Sequence, residues 1–174
     1  MAGRSGQRWL CSVCGGTHGG LATIFGPHVP EPWRRATPDE RNEGLIGPEL
    51  CSITIDGRMR HFVRGHLEIP VEDPQLDPFV WSVWVELDEG SMAELVGRWE
   101  QAERDQDPPL EGVLATDLPY RESTMGLLVR LQSRPLGEVP AVTLAPSFEH
   151  ELVHEQYEGI SAHRVAEINR TVQD

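Results

Sequence analysis

The sequence predicts an α+β fold: a mainly antiparallel sheet with packed helices and a zinc-knuckle-like loop near the N-terminus. Three observations predict it. Leu50 to Ile55 and Met59 to Val63 are rich in β-formers and flank Asp56-Gly57, a dipeptide that suits the left-handed positions of a two-residue hairpin turn. Phe79-Val80-Trp81-Ser82-Val83-Trp84-Val85-Glu86-Leu87 is dense in aromatic and β-branched side chains, as a central strand requires. Thr37-Pro38-Asp39-Glu40 and Ser91-Met92-Ala93-Glu94 each set a hydroxyl three positions before a glutamate, the capping box that opens a helix.

Taken in order, residues 1–9 read as a loose leader and Cys11 to His18 as the knuckle. Leu21 to Ala36 carries prolines and no clear period, which predicts a loop wrapping the body. The helix opened by Thr37 runs to about Gly44, and Gly47-Pro48 follows as a break. Cys51 then starts the first hairpin strand, and Leu67-Glu68-Ile69-Pro70 continues in extended form. In the central strand Phe79, Trp81, Val83 and Val85 point one way and Val80 and Trp84 the other, so both faces need cover. The helix opened by Ser91 extends to about Arg104, with Met92, Leu95, Val96 and Trp99 on the stripe that meets the sheet. Leu110 to Leu118, Met125 to Leu131 and Ala141 to Leu144 supply further strands. Ser147 caps a helix through Tyr157 that stops at Gly159, and Ser161 to Val172 forms the last helix with Val165 and Ile168 inward. One domain accounts for residues 1–174, with 8–28 a metal-knuckle segment and 37–174 the α+β body.

Composition narrows the function classes. A content of 39% hydrophobic and 25% charged residues is ordinary for a soluble globular protein. No apolar run approaches the ~20 residues that span a bilayer. A formal charge of −13 opposes nucleic acid and anionic lipid as partners, since both require a basic field, and leaves a basic protein partner open. Three cysteines suit a reducing compartment better than a disulfide framework. With a polar stretch from Met1 to Arg8 and no apolar signal-type segment after it, the expectation is a cytoplasmic protein.

The motifs then point to a family. Cys11-x-x-Cys14-Gly15 with His18, Leu50-Cys51, Phe62-x-Arg64-Gly65-x-Leu67-Glu68-Ile69-Pro70, the Phe79 to Val85 strand, Leu118-Pro119-Tyr120 and Glu155-Gln156-x-x-Gly159-Ile160 together resemble a bacterial domain-of-unknown-function family, number twenty-one ninety-nine. The resemblance runs over nearly the whole length. It implies a small cytosolic protein with no assigned activity, with family cysteines matching Cys11, Cys14 and Cys51 and a histidine matching His18.

Two thiols three positions apart can grip one soft metal ion from a tight turn, and the glycines that follow admit close backbone N–H groups. A tetrahedral Zn²⁺ site needs four N or S ligands, and Cys11, Cys14, His18 and Cys51 form a Cys₃His set that uses every thiol in the chain. His28 and His61 are substitutes for the histidine. Four protein ligands would close the shell, so the metal would fasten the N-terminus to the hairpin and would not catalyse. The competing readings are a buried strand thiol at Cys51 with reduced thiols in the turn, or dithiol redox chemistry at Cys11 and Cys14, which the glycine-rich sequence after Cys14 disfavours.

His150-Glu151-Leu152-Val153-His154 matches the H-E-x-x-H of zinc proteases, where two histidines one turn apart hold the metal and the glutamate serves as general base. The downstream glycine and histidine of the metzincin form are displaced, falling at Gly159 and His163. The family pattern matches His150 but lacks the glutamate and second histidine. Arg64 and Glu68 share one face of an extended segment and could pair. Trp81, Trp84 and Trp99 fit a core. The leading expectation is a zinc-stabilised binding or accessory protein with a structural Cys₃His site and an unidentified protein partner; a metal-dependent hydrolase using His150, Glu151 and His154 is the alternative.

Overall fold

A computed structural model describes residues 8–10 and 14–173. The strands in chain order are β1 (Arg8–Leu10), β2 (Thr17–Gly19), β3 (Ile24–Phe25), β4 (Leu45–Ile46), β5 (Leu50–Ile55), β6 (Arg58–Ile69), β7 (Phe79–Leu87), β8 (Leu110–Leu114), β9 (Leu128–Gln132) and β10 (Ala141–Leu144). The helices are α1 (Glu31–Arg35), α2 (Pro38–Glu43), α3 (Glu89–Arg98), α4 (Glu151–Glu158) and α5 (Ala162–Gln173). The fold is α+β with a mainly antiparallel sheet, as the sequence predicts.

The hairpin forms where its turn chemistry directs. Asp56 and Gly57 take φ of 51° and 76°, and Ile55 pairs with Arg58. From there β6 runs on as one strand through Ile69, where the sequence suggested two separate extended pieces. Gly65 explains the continuity. A Cβ at this position would lie 2.3 Å from Val142 Cγ2, so the missing side chain is what lets β10 come alongside. Before Gly65 the neighbour of β6 is β5; after it, His66 pairs in parallel with Ala141 of β10. That contact closes β6, β7, β8, β9 and β10 into a five-stranded barrel, and β5 with β4, and β3, continue the sheet outside it.

The alternation along β7 separates two cores. Phe79, Trp81, Val83, Val85 and Leu87 face the barrel interior, where they meet Val63 and Leu67 of β6, Leu131 of β9 and Leu144 of β10. α3, α4 and α5 add Met92 and Leu95, Leu152 and Val153, and Val165 and Ile168 to the same cluster. Trp84 faces the other way into a smaller cluster with Cys51, Ile53, Phe62, Ala36 and Ala115, covered in part by Trp33 of α1. The stretch 21–36, expected as a plain loop, therefore contains a helix that roofs this second core. α1 is legible only in hindsight: Pro30 caps it and Pro32 sits in its first turn, where a missing N–H costs nothing.

β8 stops at Leu114 and β9 starts at Leu128, inside the expected strands Leu110 to Leu118 and Met125 to Leu131, and the helix starts are set by their caps. Thr37 and Glu40 make the reciprocal capping box that opens α2. α3 starts earlier than Ser91 because Asp88 Oδ1 accepts from the Ser91 N–H at 2.7 Å and so takes the capping role itself. It also stops at Arg98, short of the expected Arg104. Arg104 instead folds inward, 4% exposed, donating to the carbonyls of Trp99, Arg134, Pro135 and Glu138 while its guanidinium lies 5.0 Å from the Trp99 ring centre. α4 is capped by His150 and not by Ser147.

Candidate functional site

β1 and β2 pair antiparallel, with Arg8 opposite Gly19, Trp9 opposite His18 and Leu10 opposite Thr17, and of the residues between them in the chain Cys14 to Gly16 are described. Gly15, immediately after the second cysteine, has φ of 68°, a conformation that L side chains rarely adopt. Gly16 runs close under the sulfur, with its Cβ position 3.4 Å from Cys14 Sγ. Cys14 itself is exposed. Cys11 lies outside the described residues, and His18 is placed as a backbone member of β2.

Cys51 is 2% exposed on β5, and burial pushes its thiol up to about 12. Its neighbours in the second core are apolar. Of the two substitutes, His61 is engaged elsewhere, its Nδ1 lying 2.8 Å from Ser52 Oγ across the β5 and β6 pair. Among the described residues, no group of three or more His, Cys, Asp and Glu side chains is arranged to hold a metal ion.

The second motif gathers at one cavity of about 470 Å³, lined by Arg121, Glu122, Glu149, His150, Glu151 and His154. His150 is the N-cap of α4, its carbonyl accepting from the His154 N–H at 3.2 Å, and the cap occupies its imidazole. It is 6% exposed and uses both ring nitrogens: Nδ1 accepts from the Leu152 N–H at 3.0 Å, which leaves Nε2 to donate to the Glu122 carbonyl at 3.2 Å.

Beside this cavity runs a polar network that sequence reasoning missed. The Tyr120 hydroxyl accepts from Trp81 Nε1 at 3.1 Å and donates to Glu155 Oε2 at 2.5 Å. The other Glu155 oxygen accepts from Arg164 Nε at 2.6 Å, and Arg164 Nη2 reaches Glu151 at 3.2 Å. Burial, then the neighbouring Glu155 charge, pushes the Tyr120 hydroxyl well above its ordinary range, so it stays protonated as the donor. The arrangement joins barrel, the loop at Tyr120, α4 and α5 through one carboxylate. Tyr120 and Glu155 stand in quoted sequence motifs, but nothing in their spacing announced that they meet.

Arg64 and Glu68 share a face yet do not pair. Arg64 lies 4.6 Å from the Trp84 ring centre and donates to Ser82 Oγ and to the carbonyls of Pro27, His28 and Pro48. Glu68 takes Arg134 instead, at 2.6 Å. Between them on β6, His66 is held below the ordinary imidazole range, first by burial and then by the Arg134 charge, with Glu68 opposing and Arg64 adding. The unfolded chain therefore binds this proton at a higher pH than the folded one, and the contribution to stability is full above roughly 6.5 and is lost as the pH falls below it. The urea midpoint should drop between pH 7.5 and 5.5, and His66→Gln should flatten that part of the curve; an unchanged slope in the variant would remove His66 as the cause.

No helix among the described residues is long and apolar enough to cross a membrane. Neither a curated protein nor a solved structure matches the chain. One family does, over a span that begins at the last residue of β1, holds the barrel and all of α4, and stops short of α5. Residues 10–160 match the family described as "Uncharacterized protein conserved in bacteria" (DUF2199), and the chain belongs to it.

Proposed function

We propose that the chain is a zinc-stabilised binding or accessory protein of the cytoplasm, with a structural metal held by Cys11, Cys14, His18 and Cys51. What supports this reading is the turn after the second cysteine, between β1 and β2: Gly15 is in a left-handed conformation and the Cβ position of Gly16 lies 3.4 Å from Cys14 Sγ. Glycines there let backbone N–H groups approach a metal-bound sulfur, and a thiolate pair from Cys11 and Cys14 would supply two of four tetrahedral ligands. Cys51 is the demanding member of the set. Its apolar surroundings disfavour a thiolate, and only direct coordination, which deprotonates a thiol outright, compensates that cost. Four protein ligands leave no position for water, so the metal's role is to fasten the N-terminal hairpin to β5.

The test is metal analysis of untagged protein. One zinc per chain is expected, falling to near zero in Cys14→Ser and in Cys51→Ser, with a loss of thermal stability in step. Metal content unchanged in Cys14→Ser defeats the knuckle; content lost in Cys14→Ser but kept in Cys51→Ser moves the fourth ligand off β5.

A metal-dependent hydrolase is the second reading, because His150, Glu151 and His154 do line one cavity. It requires His150 to give up the bond that caps α4. Zinc-dependent peptide hydrolysis abolished by Glu151→Gln would establish it over the binding reading.

A further inference from the structure

The outer side of the barrel carries a groove of about 340 Å³ over β8, β9 and β10, lined by Gly112, Leu128, Thr143, Ala145, Pro146 and Tyr157, with Glu111 opposite Arg130 across its floor. Its apolar side chains are open to solvent: Leu128 is 49% and Tyr157 51% exposed, and Phe148, two residues beyond Pro146, is 38% exposed. Large apolar groups grouped in this way mark an interaction surface more often than a lone exposed leucine does.

The groove and the acidic cavity described above are lined by neighbouring residues of the same chain segment and of α4. Ala145 and Pro146 line the groove, and only three to five residues later Glu149, His150 and Glu151 line the cavity. On α4, Tyr157 of the groove and His154 of the cavity are three residues apart, neighbours on the helix surface. The groove is apolar with its Glu111 and Arg130 charges balanced. The cavity holds Glu122, Glu149 and Glu151 against Arg121, with Glu151 already answered by Arg164, so Glu122 and Glu149 are its excess negative charge. A second copy of the chain, itself at −13, would bring like charge to the acidic cavity.

We propose that this surface binds a short segment of a protein partner that carries apolar side chains followed by lysine or arginine. The apolar part seats on Leu128, Pro146 and Tyr157, and the cationic part meets Glu149 and Glu122. The inference deepens the binding-protein reading and is independent of the metal, since none of its residues belongs to the knuckle set.

Selection of a random nine-residue peptide library displayed on phage against the purified full-length chain tests it. The expected result is enrichment of peptides joining apolar residues to Lys or Arg. Synthetic peptides from that pool should lose tenfold or more in affinity with Leu128→Asp and severalfold with Glu149→Lys, and should weaken as salt rises. Glu94→Lys on α3, an equal change in total charge, should have much the smaller effect. Matched circular dichroism melts and zinc content keep a folding defect or a failed metal site apart from a failed groove. No enrichment, enrichment of acidic peptides, or equal effects of Glu94→Lys and Glu149→Lys would overturn the proposal. So would a dimer in sedimentation that Leu128→Asp dissociates, which would make the occupant a second copy.

Discussion

Trp84→Ala is expected to destabilise the protein by about 3–5 kcal/mol, the usual cost of removing a large aromatic side chain from a closed core. Trp84 has no exposed surface and forms the centre of the second cluster, with Cys51, Ile53 and Phe62 around it. The cost does not stop at the cavity. Its indole N–H donates to the Pro27 carbonyl at 3.3 Å, and its ring supports the Arg64 guanidinium, which in turn ties Pro27, His28 and Pro48 to the sheet. The roof made by residues 27–36 should therefore loosen together with the core. At roughly 2–4 °C per kcal/mol for a chain of this size, the melting temperature should fall by about 10 °C. Trp84→Phe keeps most of the volume and should cost less than half as much. Equal losses in the two variants would show that the indole N–H, and not the packing, carries the effect.

Glu155→Ala should be the most damaging change outside the apolar cores. The Glu155 side chain is 10% exposed and answers two donors, Tyr120 and Arg164. Truncation leaves the hydroxyl of Tyr120 without an acceptor inside the protein and Arg164 with only its outer partners, Glu151 and Glu167. Those outer partners reduce the penalty below that of a fully buried broken pair, to about 2–4 kcal/mol. Glu155→Gln still presents a carbonyl oxygen and should cost clearly less. Tyr120→Phe should cost about 1–2 kcal/mol, since it strands one carboxylate oxygen and the Trp81 N–H. Chemical denaturation of the three variants reads the order, and a Gln variant as weak as the Ala variant would contradict it. Amide exchange should also show α5 opening in Glu155→Ala, because Arg164 is its tie to α4.

The parts of the fold that local chemistry dictates were legible beforehand. β7 runs from Phe79 to Leu87 as its composition indicates, β10 from Ala141 to Leu144, and the Asp56-Gly57 turn and the Thr37 capping box stand where their residues place them. What escaped was set by distant partners. Nothing adjacent to Gly65 says that its missing Cβ makes room for Val142, so barrel closure was invisible from the sequence. Ser147 looked like a cap as good as any, yet the His150 imidazole does the work because the Glu122 carbonyl fixes its tautomer from another loop. At the candidate site the pattern Cys11-x-x-Cys14-Gly15 was readable because its residues are adjacent in the chain. The union of Tyr120, Glu155 and Arg164 was not, because it is assembled from three separate segments.

Closure through His66 and Ala141 has a consequence for how the chain reaches this shape. The two residues are far apart in the chain, and their strands run in the same direction, so no tight turn can bring them together. The hairpins on either side can zip early from neighbouring residues, whereas this seam must await the ordering of everything between. Barrel formation is thus entropically back-loaded. Until the seam shuts, β6 and β10 present unsatisfied edges, and self-association during refolding is the hazard that such a topology carries.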